Sequence, residues 1–401
     1  MTHSRLLGSS LIIAGTTIGA GMLALPLASA AIGFQYSLLL MIFFWALMTY
    51  SALLLVEAHQ YADHDATLHT LATKLLGKNA KWLVGFFMCF LFYALCSAYV
   101  AGGGSQLNER IQQWFGITLS NGATSLIFTL IISSIVYLGT IVVDKVNRVL
   151  FTAKIIALIA VLFLLSPSVS RTLLASQPLE TGLLLAAMPV VFTSFGFHGS
   201  IPALVRYLDG DTKTLKRAIV IGSSIPLLIY VFWQLVTLGN LEQEVMVANP
   251  SLGALLQSLS LLVQSPALAQ IVGVFADLAL ATSFLGVSLG LFEFVGDATR
   301  RNQKEQHRAI IGLMTFVPPL LFAVFYPQGF IMALGYAALA LAALALFIPV
   351  LLVIKARKTS TEAGFYQVSG GNTGLVAVTL SGLMIVGVQL SITLGLLPSV
   401  G

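Results

Sequence analysis

Apolar runs of about 18 to 30 residues recur from one end of this chain to the other, and each is long enough to cross a hydrocarbon layer about 30 Å thick. The runs are continuous. A strand-built barrel would instead show short segments alternating apolar and polar residues. In lipid the backbone finds no water to bond, and a helix is the element that satisfies its own amides and carbonyls. Composition agrees, since 58% of the 401 residues are hydrophobic and 9% are charged, where soluble domains carry about a quarter charged. The expected fold class is all-α and integral to a lipid bilayer, with residues 1–401 forming one transmembrane domain.

Eleven spans are expected, at 6–31, 34–58, 82–109, 121–143, 148–166, 181–206, 218–239, 266–296, 309–326, 329–354 and 373–397. The first lacks a cleavage site of the A-x-A kind and leads directly into further spans, so it reads as a retained helix. With the N-terminus cytoplasmic, eighteen of the 20 Lys and Arg residues fall on the cytoplasmic side, and Arg110 and Arg171 fall outside. That bias follows the positive-inside rule and puts the C-terminus in the periplasm. It also accounts for the net charge of +5. The basic residues are scattered among short connections and form no extended patch, so no nucleic-acid partner is expected. Cys89 and Cys96 lie seven apart in one apolar run, too far for a disulfide.

Spans one to five form an odd-numbered unit, so a second copy in spans six to ten enters the membrane with the opposite orientation. Repeat one then covers about 6–166 and repeat two about 181–354, with an extra helix at 373–397. In such an inverted repeat the corresponding first helices are both interrupted. Residues 15–21 read GTTIGAG and residues 192–200 read FTSFGFHGS, with Pro26 and Pro202 following. Helix breaks near the middle of the bilayer expose amides at one half-helix end and carbonyls at the other, a pattern that suits a zwitterion. Gly19, Gly21 and Thr17 are the expected carboxylate side. Carbonyls near Ala14 and Phe192 are the expected ammonium side, with Thr16, Thr17, Thr193 and Phe195 around them. His198 sits within the second break, where it either bonds freed backbone groups or meets the substrate.

Few charges lie at membrane depth. Asp277 falls about eleven residues into the eighth span, where an ionised carboxylate costs about 2.5 to 3.5 kcal/mol. It is either a proton-binding group or a neutral acid bonded to a neighbouring helix. Lys154 falls about seven residues into the fifth span, about 10 Å deep. Its stem either snorkels to the surface or places a cation between spans one, five and eight. Glu57 and Glu293 sit near helix ends and read as structural. His59, His64 and His69 with Asp63 and Asp65 resemble metal-ligand spacing only loosely, and a solvated loop is expected there. No metal and no cofactor are expected. Catalysis would need a constellation that these scattered groups do not form, and a channel would need a continuous polar pore, so a transporter of small molecules is the expected class.

Four blocks carry a family resemblance: GTTIGAGMLALPLA at 15–28, FTSFGFHGSIP at 192–202, DLALATSFLGV at 277–287 and YPQGFIMALGYA at 326–337. Together they resemble the hydroxy and aromatic amino acid permease family. The resemblance implies eleven spans, a LeuT-like five-plus-five inverted repeat, a bacterial inner-membrane location, and import of an aromatic amino acid, tyrosine or tryptophan, with a proton. It further implies that Thr282 and Ser283 stand where the wider superfamily holds a cation, with Lys154 in that cation's place, and that Tyr99 in span three touches the substrate. Were tyrosine the substrate, a polar group would have to meet its phenol, because a dry pocket separates tyrosine from phenylalanine poorly. His198, Tyr99, Gln234 and Tyr336 are the candidates.

Overall fold

A computed structural model describes residues 2–176, 182–262, 266–299, 305–359 and 365–399. Arg300, Arg301 and Lys304, used above for orientation, lie outside these residues. The helices in chain order are α1 (Thr2–Thr17), α2 (Gly21–Ser29), α3 (Gly33–His59), α4 (Leu68–Leu76), α5 (Lys78–Phe115) and α6 (Asn121–Tyr137). There follow α7 (Thr140–Leu165), α8 (Arg171–Leu174), α9 (Gly182–Ser194), α10 (Ile201–Tyr207), α11 (Thr212–Leu238) and α12 (Gln243–Ala248). The last are α13 (Leu252–Leu262), α14 (Pro266–Ala298), α15 (Glu305–Phe325), α16 (Phe330–Ala342), α17 (Ile348–Thr359) and α18 (Gly371–Thr393). Among the described residues there is no strand.

Nine helical segments among the described residues are long and apolar enough to cross a membrane, and α1 with α2 makes a tenth, bent by 55°. The helix α6 is shorter, at 17 residues. It ends where the sequence pattern had run on to 143. Gly139 takes φ +104°, a conformation closed to most other residues, and the chain turns there, so that Ile141, Val142 and Val143 belong to α7. That helix starts eight residues earlier than expected. Lys154 is therefore fourteen residues into its helix, about 21 Å along it, which removes the premise for snorkelling.

Local chemistry sets several ends. Asp211 caps α11 by accepting from the amides of Lys213 and Thr214, and a bond from the Thr214 hydroxyl helps hold its carboxyl below the usual carboxylate range. Between α16 and α17 one helical span continues through a π turn at Ala343–Phe347, where the Ser51 hydroxyl donates to the Ala345 carbonyl. Farther along that span Arg357 grips Glu57 through two bonds of 2.6 and 2.9 Å, and Glu57 also accepts from the Val368 amide. The Glu57 side chain is fully buried, so this carboxylate is structural, as expected. His59 is buried too, bonding the carbonyls of Leu55 and Ala66, which corrects the expectation that it lies in a solvated loop.

The two interrupted helices lie at the centre of the packing. The helix α2 packs on α9, α1 packs on α11, and α11 packs on α3. On the other side α7 and α5 pack on α14, and α5 packs on α16. Between these groups lies the cavity described next.

Candidate functional site

A cavity of about 840 Å³ reaches both helix breaks. The first break supplies Gly15, Thr16, Thr17, Ile18, Gly19 and Gly21, and the second supplies Thr193, Ser194, Gly196, Phe197, His198 and Gly199. Tyr99 of α5, Lys154 of α7 and Thr282 with Ser283 of α14 also lie on the wall, along with further residues of α5, α7, α14 and α16. Thus ten of the residues singled out from the sequence (Thr16, Thr17, Gly19, Gly21, Tyr99, Lys154, Thr193, His198, Thr282 and Ser283) converge on one space.

At the first break the helical ladder fails within a few residues. The Ile18 amide still reaches the Ala14 carbonyl at 2.8 Å, whereas the Gly19 amide turns to Thr17 O at 2.8 Å and the Ala20 amide is taken by Ser283 Oγ at 2.8 Å. Among the described residues the carbonyls of Gly15 and Thr16 and the amide of Gly21 are left without partners. At the second break Phe195 N reaches Phe192 O at 3.1 Å and Gly196 N reaches Thr193 O at 3.1 Å. The amides of Phe197, His198 and Gly199 have no partner among the described residues. A buried backbone group without a bond costs free energy that a ligand can recover. Among the described residues each break thus leaves free groups of both kinds, the Gly15 and Thr16 carbonyls with the Gly21 amide at the first and the amides of residues 197–199 with the Phe195 and Gly196 carbonyls at the second, so either can meet one end of a zwitterion.

Two expected carbonyls are not free. Ala14 and Phe192 each accept a backbone amide, as given above, because the helical turn persists one to two residues past the point where the glycines suggested unwinding. Neither lines the cavity; the free Gly15 and Thr16 carbonyls belong to residues that do. Phe192 packs instead against Phe44, ring centroids 5.8 Å apart, and Phe195 sits edge-on to Tyr230 at 5.3 Å, away from the cavity wall. The hydroxyls of Thr16, Thr17 and Thr193 bond the carbonyls of Ile12, Ile13 and Pro189 one turn back, so their oxygens reach the cavity as acceptors.

Lys154 does not snorkel. Its residue is 2% exposed, and its Nζ donates to the Ile18 carbonyl at 2.9 Å and to Thr282 Oγ1 at 3.2 Å. It also lies 4.5 Å above the centre of the Phe151 ring. The Thr282 hydroxyl passes its own hydrogen to Leu278 O at 2.8 Å, so it is free to accept from the ammonium. One cation therefore joins α1, α7 and α14 at the first break. Among the described residues no carboxylate pairs with it.

Asp277 lies elsewhere. Its carboxylate meets Arg110 Nε at 2.9 Å between α5 and α14, and it does not line the cavity. Five residues of helix rotate it away from Thr282, and its partner is an arginine that the topology had placed outside the membrane. His198 is buried, lines the cavity, and has no bond at either ring nitrogen, which corrects the reading that it bonds freed backbone groups. The Gln234 amide nitrogen faces Leu25 O, Ser29 and Ser37 while its Oε1 has no bond among the described residues, and neither Gln234 nor Tyr336 lines the cavity.

Sequence reasoning missed Tyr230. Fully buried in α11, its hydroxyl lies 2.6 Å from Thr17 O and 3.0 Å from Ser194 O, one carbonyl from each break. A hydroxyl has one hydrogen, so it serves both carbonyls in turn or by sharing. The Ser194 hydroxyl, also missed, shares its one hydrogen between Val190 O at 3.0 Å and Gly21 O at 3.2 Å, the second contact tying the breaks again. The legible signal was an unexplained tyrosine four residues before Gln234 on one face of an apolar helix. The two cysteines are free, as expected, and among the described residues no cluster of metal-ligating side chains occurs.

Comparison with known proteins gives the same direction. Residues 2–389 match the family described as the tryptophan/tyrosine permease family. The chain is 44% identical over 402 residues to tyrosine-specific transport system 1 of Haemophilus influenzae, covering 99% of each chain. It is 36% identical to a tryptophan-specific transport protein of the same organism, covering 97% of this chain and 96% of that one. Among solved structures it is similar to a manganese transporter of Eremococcus coleocola crystallised with an aromatic bis-isothiourea compound, with a TM-score of 0.66 at 15% identity, over 97% of this chain and 86% of the other. At that identity the likeness is one of fold.

Proposed function

The chain belongs to the tryptophan/tyrosine permease family, and on that premise we propose that it is a proton-coupled importer of L-tyrosine that works by alternating access in the bacterial inner membrane. The transported class follows from the family; tyrosine in particular is supported by the higher identity to a tyrosine-specific relative than to a tryptophan-specific one. In this reading the eleven spans are the nine long helical segments, the bent α1–α2 pair and the short α6, arranged as two inverted repeats of five with α18 outside them. The N-terminus is cytoplasmic and the C-terminus periplasmic.

The substrate carboxylate takes the free amides of Gly21 and of residues 197–199, and the ammonium takes the Gly15 and Thr16 carbonyls. Helix ends of matching sign favour both charges. Tyr99 lines the wall beside them. His198 is the group that meets the phenol, since its two unbonded nitrogens offer one donor and one acceptor in the neutral ring. Replacing His198 with Leu is expected to weaken tyrosine uptake more than phenylalanine uptake in competition assays. Equal losses would instead assign it to shaping the break.

Coupling rests on one observation: Lys154 binds the Ile18 carbonyl at the first break and Thr282 on α14. As an ammonium it has three hydrogens to hold α1 and α14 together, and as a neutral amine it has two and a much weaker field. Proton loss therefore favours arrangements in which α1 is released, so a proton gradient biases the conformational cycle. The same two oxygens are what a metal cation would need, and the ammonium already occupies them. Purified protein in liposomes should accumulate labelled tyrosine when an inward proton gradient is imposed and not under a sodium gradient at equal pH. Accumulation driven by sodium alone would sink the coupling assignment, and a C-terminal reporter active only in the cytoplasm would reverse the orientation.

A further inference from the structure

The glycines around the cavity divide into two kinds. At most of them the space of a missing Cβ is already filled. A Cβ at Gly19 would lie 3.0 Å from Ser283 Oγ, at Gly21 3.3 Å from Ser194 Oγ, at Gly196 3.2 Å from Leu341, and at Gly15 3.6 Å from the Phe151 ring. These residues are small so that neighbouring elements can approach. Gly199, in the turn of the second break, and Gly286 are different: both are exposed to the cavity, nothing lies within 4 Å of the position either Cβ would take, and neither φ is positive. Neither backbone conformation nor packing calls for glycine there.

A glycine inside a helix costs about 1 kcal/mol relative to alanine, and Gly286 lies in the interior of α14. It lines the cavity next to Val287. It is one turn beyond Ser283, whose hydroxyl holds the Ala20 amide at the first break, and so lies on nearly the same helix face. One turn farther on, the surface is closed again, because a Cβ at Gly290 would lie 3.3 Å from the Phe92 ring. The open stretch thus runs from Ser283 to Gly290, where Phe92 of α5 closes it, seven residues and about 10 Å of helix. The same cavity is lined by Leu91, Phe92 and Leu95 of α5, by Val287 of α14, and by Asn147, Arg148 and Phe151 of α7. The α5 side of that wall is apolar, and Phe92, which packs over Gly290, offers a ring.

We propose that this niche over Gly286 receives the aromatic ring of the substrate, and that the absence of a side chain at 286 sets the size of ring the transporter accepts. The inference rests on the reading of the cavity as an aromatic amino-acid site. The zwitterion is fixed at the breaks, so the side chain must leave along a wall, and the wall beside Ser283 is the one left open for about the length of a ring. Apolar walls discriminate by size and not by polarity, at about 10- to 200-fold per methylene of misfit. Gly286 therefore governs ring volume, while the phenol is the business of His198.

The test is a size series, Gly286→Ala, Gly286→Val and Gly286→Leu, in proteoliposomes, with inhibition of labelled tyrosine uptake by tryptophan, phenylalanine and alanine measured for each. Apparent KM for tyrosine is expected to rise about 10-fold or more by Gly286→Val, tryptophan is expected to lose potency first, and alanine to keep or gain potency. Alanine at 286 should raise thermal stability slightly, since a helix interior gains from it, and this separates lost room from lost folding. If tyrosine KM is unchanged through Gly286→Leu, or if alanine and tryptophan lose potency together, the ring lies elsewhere and the proposal is wrong. Failure of the wild type to take up any aromatic amino acid would instead overturn the functional reading on which it rests.

Discussion

Among the described residues of this membrane protein, Arg110 and Lys154 are the buried arginine and lysine side chains, and they are held in different ways. Arg110 meets a full negative charge, the Asp277 carboxylate at 2.9 Å. Lys154 meets a backbone carbonyl, a threonine hydroxyl and an aromatic face. The first arrangement cancels charge within the pair, and arginine does not give up its proton in proteins. The second stabilises an ammonium with partial charges alone, so the proton can leave without stranding an anion in lipid. In the proposed cycle the difference separates a brace from a working part: a pair with its arginine buried and its carboxylate half-buried ties α5 to α14, whereas a lone lysine offers a protonation change at the place where α1, α7 and α14 meet.

Breaking the contrast starts with the largest effect. Lys154→Ala should abolish accumulation of tyrosine against a gradient, leaving uptake at the equilibrium level, while equilibrium binding of labelled tyrosine persists. Asp277→Asn should leave accumulation in place; if it also uncouples the protein, the two cations are not the opposites described here. Next in size, Arg110→Ala leaves the half-buried Asp277 carboxylate without its partner and should cost about 2 kcal/mol of stability, between the values for exposed and buried pairs, read as a lowered midpoint of thermal unfolding in detergent. Replacing both partners with leucine should recover much of that loss, which a catalytic or coupling role for either would not allow. The smallest effect sharpens the description of Lys154. Thr282→Val removes one acceptor from the ammonium, worth about 1.5 kcal/mol. The charged form is then held less tightly, more protons are needed to fill the site, and half-maximal uptake should move about one unit toward lower pH.

How much of this was legible in the sequence depends on the range of the interaction involved. Apolar run lengths gave the helices, and the glycines of GTTIGAG and FTSFGFHGS marked both breaks, because each of these is a local property of a few residues. Partners far away in the chain were not legible. Asp277 is 167 positions from Arg110, and counting depth along its own helix could show that it was costly but not what met it. Tyr230 reaches across 213 positions to Thr17, and a tyrosine in an apolar span looks like any other until the fold brings it to the break. The choice of free carbonyls failed more subtly. Glycines show where a helix is able to unwind, but the last amide to stay in the ladder is decided by competitors such as Ser283 Oγ, and that moved the acceptors from Ala14 to Gly15 and Thr16. Of the two readings of Lys154, the contact between spans one, five and eight is the one the structure has; its depth was underestimated because Ile141, Val142 and Val143 read as the tail of the previous span, when Gly139 had already turned the chain.

The π turn at Ala343–Phe347 sets a phase for everything after it. A π turn holds one residue more than an α turn, so the helix beyond it is rotated by about 100° from where a plain continuation would have put it. Arg357 faces Glu57 only with that offset included. Deleting a single residue between 343 and 347 would turn the wide turn into an ordinary one and leave the guanidinium facing its carboxylate, whereas deleting one in the regular helix between 348 and 356 would swing it about a quarter-turn out of reach. The wide turn is thus a gear between two faces of one helix: α16 keeps its buried side toward α5 and α9, and α17 presents its own toward α3.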